Sequence, residues 1–353
     1  MTSVPTLQKI QAQAANLGFD QMGIAPAHLE AYHHQAYQQW IDLGYHGTMD
    51  YLKRRQQEPC SAVQMVPNAR SVIMLAVNYF RPEDNDQPTK EHALISRYAI
   101  TRDYHKVIGK QLKTLAFWIE SEFNAQTRYY IDTGPLLERG YAEAARLGFI
   151  GKNTMLITKA FGSWVFLTAI VTDLDLPPTK TATTMRCGRC QRCLDVCPTQ
   201  AILSGKVLDA TKCIAYLTIE NRGSIPVELR PKIGTWFFGC DLCQEVCPHN
   251  SRAKAARLSQ MQDVKLSDGR AIALTRILAL RTHQDVVDLF AGTPIMRAKR
   301  SGIMRNAAIV AANTGNQKWL PALKKLQDDE VQREADPVIL ETVHWAIEQL
   351  ESK

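Results

Sequence analysis

CGRCQRCLDVCP (residues 187–198) and CDLCQEVCP (residues 240–248) are the two stretches that decide how this chain is organised. In the first, Cys187, Cys190 and Cys193 keep C-x-x-C-x-x-C spacing and Cys197 precedes Pro198. In the second, Cys240 and Cys243 lead to Cys247 before Pro248, with Cys213 upstream. A cubane iron–sulfur cluster needs a thiolate at each of four corners. A tight loop of this spacing wraps three corners, and in two-cluster proteins the Cys before Pro crosses to the other cluster. The rule assigns one [4Fe–4S] cluster to Cys187, Cys190, Cys193 and Cys247, and the other to Cys240, Cys243, Cys213 and Cys197. The usual second run keeps its three leading cysteines together. Here 26 residues separate Cys213 from Cys240, so Cys213 is the displaced ligand. Zinc is the competing reading, because C-x-x-C knuckles bind it. Zinc sites take their ligands in pairs, however, and have no use for a third closely spaced Cys or a Cys-Pro ending.

The remaining composition narrows the setting. Eight of the nine cysteines fall between Cys187 and Cys247, and Cys60 stands apart as an ordinary thiol. Clustered cysteines in a long chain without an export signal bind metal or carry redox chemistry rather than disulfides. The N-terminal MTSVPTLQKIQAQ is polar and holds no twin-arginine pair. No apolar run reaches the roughly 18 residues that span a bilayer. The expectation is a cytoplasmic protein with no membrane partner. The 353 residues allow two or three domains. The formal net charge of +7 is concentrated: between Ser251 and Asn306, eleven Lys/Arg stand against four Asp. That excess reads either as a polyanion-binding surface or as a solvated basic face.

Residues 1–175 alternate helix and strand patterns and read as an α/β domain. A helix near Thr6–Leu17 ends at Gly18. SVIMLAVNYF (71–80) is a buried strand by its apolar, β-branched character, and RYYI (128–131) is another. Pro135 to Leu147 reads as a helix, and TMLIT (154–158) and SWVFLTAIVT (163–172) as strands around a turn at Phe161-Gly162. DLDLPPTKTATT (173–184) has linker composition. The cysteine-rich part occupies 176–255. From 256 to 353 the pattern is helical: Ile303, Ala307 and Val310 share one face, as do Val343, Ile347 and Leu350. Paired helices around Asn313-Thr314-Gly315-Asn316 look HEAT-like.

Two clusters form a short wire, so residues 1–175 should hold the electron acceptor. No G-x-G-x-x-G follows a strand and no P-loop is present, which argues against a Rossmann or nucleotide site. The polar residues there fall into sets: Gly44-Tyr45-His46-Gly47 with Tyr51-Leu52 and Arg54-Arg55; Ser96-Arg97-Tyr98 with Arg102-Asp103-Tyr104-His105; Ile131-Asp132-Thr133-Gly134-Pro135; and Gly148-Phe149-Ile150-Gly151-Lys152-Asn153-Thr154 with Gly162-Ser163-Trp164. In this order, followed by the dicluster segment and by Lys299-Arg300-Ser301-Gly302 and Arg305-Asn306-Ala307-Ala308, they resemble epoxyqueuosine reductases over nearly the whole chain. The resemblance implies a cobalamin-binding α/β domain (1–175), a two-[4Fe–4S] ferredoxin-like domain (176–255) and a helical HEAT-like tRNA-binding region (256–353). It implies an oxidoreductase of queuosine biosynthesis. Such an enzyme reduces the epoxide of epoxyqueuosine in a tRNA anticodon stem-loop to the alkene with loss of water, using cobalamin fed by the clusters.

Epoxide opening leaves an alkoxide that must be protonated, a task for a positioned carboxylic acid. Asp132 is the candidate catalytic residue, at a strand end before a tight Gly-Pro turn; capping or turn bracing is its bland role. As an acid it would need burial beside the cofactor to carry a proton at neutral pH. Arg55, Ser96, Arg97, Tyr98, Asp103, Tyr104 and His105 are candidate cobalamin or substrate contacts, and Gly151, Lys152, Asn153, Ser163 and Trp164 candidate linings of the cofactor pocket. The D-x-H-x-x-G signature of histidine-ligated cobalamin is missing, since Asp103, His105 and Gly109 have one residue too many. No protein ligand beneath the cobalt is therefore expected. Arg297, Lys299, Arg300 and Arg305 are the candidate tRNA phosphate contacts. A reduced carrier such as ferredoxin or flavodoxin is the expected electron donor. The alternatives are a corrinoid reductive dehalogenase acting on a small molecule, which typically carries a twin-arginine signal, and a non-catalytic iron–sulfur carrier or RNA-binding module, for which residues 1–175 would have no purpose.

Overall fold

The computed structural model describes residues 4–57, 62–82, 89–180, 184–257, 266, 269–332 and 336–352; the side chains of 54–57 lie outside that description. Cys60 and the side chain of Arg55 therefore fall outside the described residues.

The apolar run at 71–80 forms the Ser71–Asn78 strand, and every residue of it is buried. It sits inside a four-stranded sheet, between Gln21–Pro26 and Val165–Thr172, with Thr127–Tyr130 at the far edge. All three pairings are antiparallel. Side chains alternate across a strand, so the run divides between two cores. Val72, Met74 and Ala76 pack with Tyr141 and Ala142 of the short Glu138–Ala144 helix and with Ala145, which caps it. Ile73, Leu75 and Val77 pack with Ile108, Leu112, Leu115 and Ile119 of the Tyr104–Phe123 helix and with Ile10 of the Val4–Asn16 helix. Burying each of the Val, Leu, Ile and Met side chains among them stabilises the fold by about 1.5–3 kcal/mol. Asp103 starts the long helix by accepting from the backbone N–H of His105, and Asn124 ends it in the left-handed conformation. This start fixes where Tyr104 and His105 lie.

The two cysteine runs fold alike. Each enters a one-turn helix, Arg192–Asp195 in the first and Leu242–Glu245 in the second, and these helices pack against each other. The residues that displace Cys213 from Cys240 do structural work. They form the Ile214–Ile219 helix and the Trp236–Phe238 strand, which pairs in parallel with His92–Ile95. Ala271–Ala273 pairs on the other side of His92–Ile95. This small sheet thus joins strands from all three sequence segments. One core likewise runs from Ile95 and Ile100 through Leu217 and Phe237 to Ile303, Val310, Val343 and Leu350. The cuts expected at 175 and 255 mark changes of composition, while packing runs across both.

The C-terminal part is helical, with Lys299–Thr314, Leu320–Gln332 and Pro337–Glu351 packed together. Lys299–Thr314 is buried on nearly all sides, Arg305 and Asn306 included. Among the described residues no helix is long and apolar enough to cross a membrane.

Candidate active site

A cavity of about 430 Å³ opens between the four-stranded sheet and the cysteine loops. That volume lies within the range of cofactor and ligand pockets. Its lining includes Tyr98, Tyr104, Asp132 and Arg139 together with Cys197, Cys213, Cys240 and Cys243.

Asp132 follows the Thr127–Tyr130 strand with φ of 43°, a left-handed conformation. Thr133 N–H donates to the Ile131 carbonyl and closes the turn around it. The Asp132 carboxylate accepts from the Tyr104 hydroxyl, and its Oδ1 lies 2.8 Å from His105 Nε2. His105 Nδ1 lies 2.9 Å from Asp103 Oδ1. Both ring nitrogens therefore donate to carboxylates. The bond to Asp103, then that to Asp132, raises the His105 pKa to about 9. The imidazole is a cation at neutral pH and has no free lone pair for a metal. Burial, and then the charge of Asp132, pushes the Tyr104 phenol well above its ordinary value, so it stays a donor. Its ring lies flat on Phe166 at 4.2 Å, which fixes the hydroxyl. The Asp132 side chain is 48% exposed, so it faces open space rather than the buried setting expected for a carboxylic acid.

The cysteines gather in two sets. Burial and the neighbouring Cys187, Cys247 and Cys190 push the Cys193 thiol up; Cys187 and Cys190 act likewise on Cys247. In the other set burial raises Cys213, which also feels Cys197, while Cys213 acts on both Cys240 and Cys243. Thiols that crowd one another in this way fit a cationic metal centre, which holds them as thiolates. Among the described residues no three His, Cys, Asp or Glu side chains converge on a single-ion site.

Of the candidate cofactor contacts, Ser96, Tyr98, Tyr104, Asp132, Asn153 and Ser163 line the cavity. Asp103 and His105 stand behind Asp132. Three expectations need correction. Arg97 is not among the residues lining the cavity: its side chain is 4% exposed, donates to the Arg81 carbonyl and lies over the Phe80 and Trp164 rings. Trp164 is committed to that same stack rather than to the pocket. Lys152, with Gly151 before it, belongs to the cysteine loop, since its Nζ donates to the carbonyls of Gly188 and Cys190. Asn153 and Ser163 also form the seam to the second cysteine run, through the Cys243 carbonyl and the Gln244 side chain. At Gly162 the approach is so close that a Cβ would stand 1.9 Å from Asn250 Oδ1.

The basic residues divide similarly. Arg305 is not a phosphate contact: it is 1% exposed and donates to the carbonyls of Leu217, Asn221 and Gly223. Arg300 is anchored to the buried Glu330 and to the Arg281 carbonyl. Arg297 is 54% exposed, forms a two-pronged pair with Glu220 and lies within reach of the Asp132 charge. Lys299 is exposed. Sequence reading passed over Arg139, which lies on the cavity wall and donates to the Thr154 carbonyl. Its one signal was an arginine within the short, otherwise largely buried helix after Asp132.

Residues 186–250 match the family of 4Fe-4S double cluster binding domains, and residues 60–133 match the DUF1730 family of epoxyqueuosine reductases. An epoxyqueuosine reductase of Pseudomonas aeruginosa is 38% identical over 96% of this chain and 93% of its own length. The Bacillus subtilis epoxyqueuosine reductase, solved with its aspartate-bearing catalytic loop swung out of the active site, superposes with a TM-score of 0.86 at 27% identity, covering 98% of this chain and 90% of that one. An epoxyqueuosine reductase solved with an epoxyqueuosine-modified tyrosine tRNA stem loop superposes with a TM-score of 0.82 at 25% identity, over 98% and 99% of the two chains.

Proposed function

The chain belongs to the epoxyqueuosine reductase family, and from that premise we propose that it reduces the epoxide of epoxyqueuosine in tRNA to the alkene, with Asp132 delivering the proton. The overall reaction takes two electrons and two protons per epoxide and releases one water. One observation carries the assignment. The Asp132 carboxylate lines the same cavity as Cys197, Cys213, Cys240 and Cys243 and is gripped by two proton donors.

The lining of the cavity suits a cobalamin. Its walls include aromatic and aliphatic side chains such as Tyr98, Phe166 and Leu167, and no histidine among the described residues lines it. When bound there, cobalamin would supply the low-potential electrons for the epoxide carbon. Ser96, Tyr98, Asn153 and Ser163 would hold it, with Arg139 beside them. Cys187, Cys190, Cys193 and Cys247 would ligate the outer cluster, and Cys197, Cys213, Cys240 and Cys243 the inner one; their grouping in the fold supports this reading.

The chain's own part is proton handling. As the epoxide C–O bond opens, charge develops on oxygen and Asp132 relays to it the proton that His105 holds at rest. His105 hands that proton over through Nε2, 2.8 Å from Oδ1, and Asp103 stabilises the imidazolium beforehand. Tyr104 keeps the carboxylate aimed. The tRNA enters from the side of Arg297 and Lys299.

The test is a spectral titration of the anaerobically reconstituted protein with cobalamin, followed by an assay on epoxyqueuosine-containing tRNA. Turnover by the wild type and its loss by about 100-fold or more in Asp132→Asn, with cobalamin binding intact, is the expected result. Full turnover by that variant removes Asp132 as the acid.

A further inference from the structure

The sequence RCGRCQRC (186–193) places an arginine before the first outer-set cysteine and one in each gap that follows. In the fold, Arg186, Arg189 and Arg192 are all exposed, and none has a side-chain ion pair among the described residues. By contrast the exposed Arg70, Arg257 and Arg297 each pair with a carboxylate. Asp195 is the one acid between residues 184 and 200. Lys152 adds a further cation to the same loop, 3.1 Å from the Gly188 carbonyl and 2.9 Å from that of Cys190.

Position makes this charge meaningful. The cavity wall is built by Cys197, Cys213, Cys240 and Cys243, and none of Cys187, Cys190, Cys193 or Cys247 reaches it. The set wrapped by the arginine loop is therefore the outer one, and electrons enter there and leave at the cavity. Arg186, Arg189 and Arg192 are exposed neighbours of three of the four outer-set cysteines, where a carrier delivering electrons to that set would dock. The tRNA has a different destination, because its modified base must reach Asp132.

We propose that Arg186, Arg189 and Arg192, with Lys152 beneath them, form the docking surface for an acidic one-electron carrier protein of the flavodoxin or ferredoxin kind. Unpaired cations around an entry point steer an acidic partner and raise its association rate, an effect that salt screens. At each docking the carrier is oxidised by one electron and the outer cluster is reduced by one. Two dockings supply the electrons that convert one epoxide, with two protons, to alkene and water. The inference rests on the two-cluster reading above.

The experiment mixes reconstituted holoenzyme with a reduced, acidic flavodoxin and follows cluster bleaching by stopped flow, without tRNA. The wild-type second-order rate should fall steeply as salt is raised. The triple variant Arg186→Gln, Arg189→Gln, Arg192→Gln should lose about tenfold or more of that rate at low salt. Its iron content, its reduction by dithionite and its tRNA affinity should stay at wild-type levels. A salt-independent wild-type rate overturns the proposal, and this control holds even if the variant fails to keep its clusters. An unchanged carrier rate in a fully loaded variant also overturns it, as does a variant that loses tRNA affinity alone, which would assign the patch to RNA. Dithionite-driven turnover on epoxyqueuosine tRNA is scored separately. Its absence in the wild type refutes the enzymatic reading and leaves the docking result to stand on cluster reduction.

Discussion

Asp103→Asn isolates the part of the proton machinery that the fold makes testable. His105 donates to two carboxylates, and together these raise its pKa from the ordinary 6.5 to about 9, with the Asp103 bond the larger contributor. At about 1.36 kcal/mol per pH unit, that difference would be worth about 3.4 kcal/mol. The imidazole is 39% exposed, so solvent screening reduces the figure to about 1–1.5 kcal/mol, of which Asp103 supplies about 0.5–1. Because the folded pKa is raised, this stability is fully present below pH 6.5 and is lost as pH rises towards 9. Asn keeps the helix cap, since its side-chain oxygen also accepts from the His105 N–H. It removes the charge. The expected outcome is a variant destabilised by about 0.5–1 kcal/mol at pH 6, with the deficit vanishing above pH 9. Its single-turnover rate on epoxyqueuosine tRNA, with chemically reduced enzyme, should match wild type near pH 6 and fall several-fold by pH 8. The alkaline limb of the rate profile thus moves to lower pH, and the ¹⁵N titration of His105 moves with it. An alkaline limb at the same pH in both proteins would refute the role given to His105.

Other expectations follow from named contacts. Cys213→Ser should halve the iron, from about eight to about four atoms per chain, and iron analysis with electron paramagnetic resonance of the reduced protein will show whether the inner cluster is the one lost. Arg305→Met removes the guanidinium donors from the carbonyls of Leu217, Asn221 and Gly223, of which Gly223 keeps Asn221 Nδ2; it should cost about 3 kcal/mol or more in denaturant unfolding while the salt slope of tRNA binding holds. Lys299→Ala should do the reverse, lowering that slope by about one and leaving stability near wild type.

Much of the chemistry was legible along the chain, because it is local. C-x-x-C-x-x-C spacing and a Cys-Pro ending are properties of one loop, so the eight ligand candidates could be read without a fold. The Ser71–Asn78 strand announced itself by its apolar run, and Asp132 by a strand end before Gly-Pro. Other features belong to pairs of segments far apart in sequence, and only packing decides them. Asp132 is held by Tyr104 and His105, residues more than 25 positions earlier, because the long helix crosses the sheet where the Thr127–Tyr130 strand ends. Cys213 drifts from Cys240 because the residues between them thread into a core shared with His92–Ile95 and Lys299–Thr314. Arg305 and Lys299 carry the same charge a few residues apart, yet one satisfies buried carbonyls and the other faces water. Which groups this protein possesses, and how the cluster loops are spaced, follow from the order of residues along the chain. Which of those groups are desolvated, and what each one faces, is fixed by packing, since burial and distant partners are set only when remote segments close on one core.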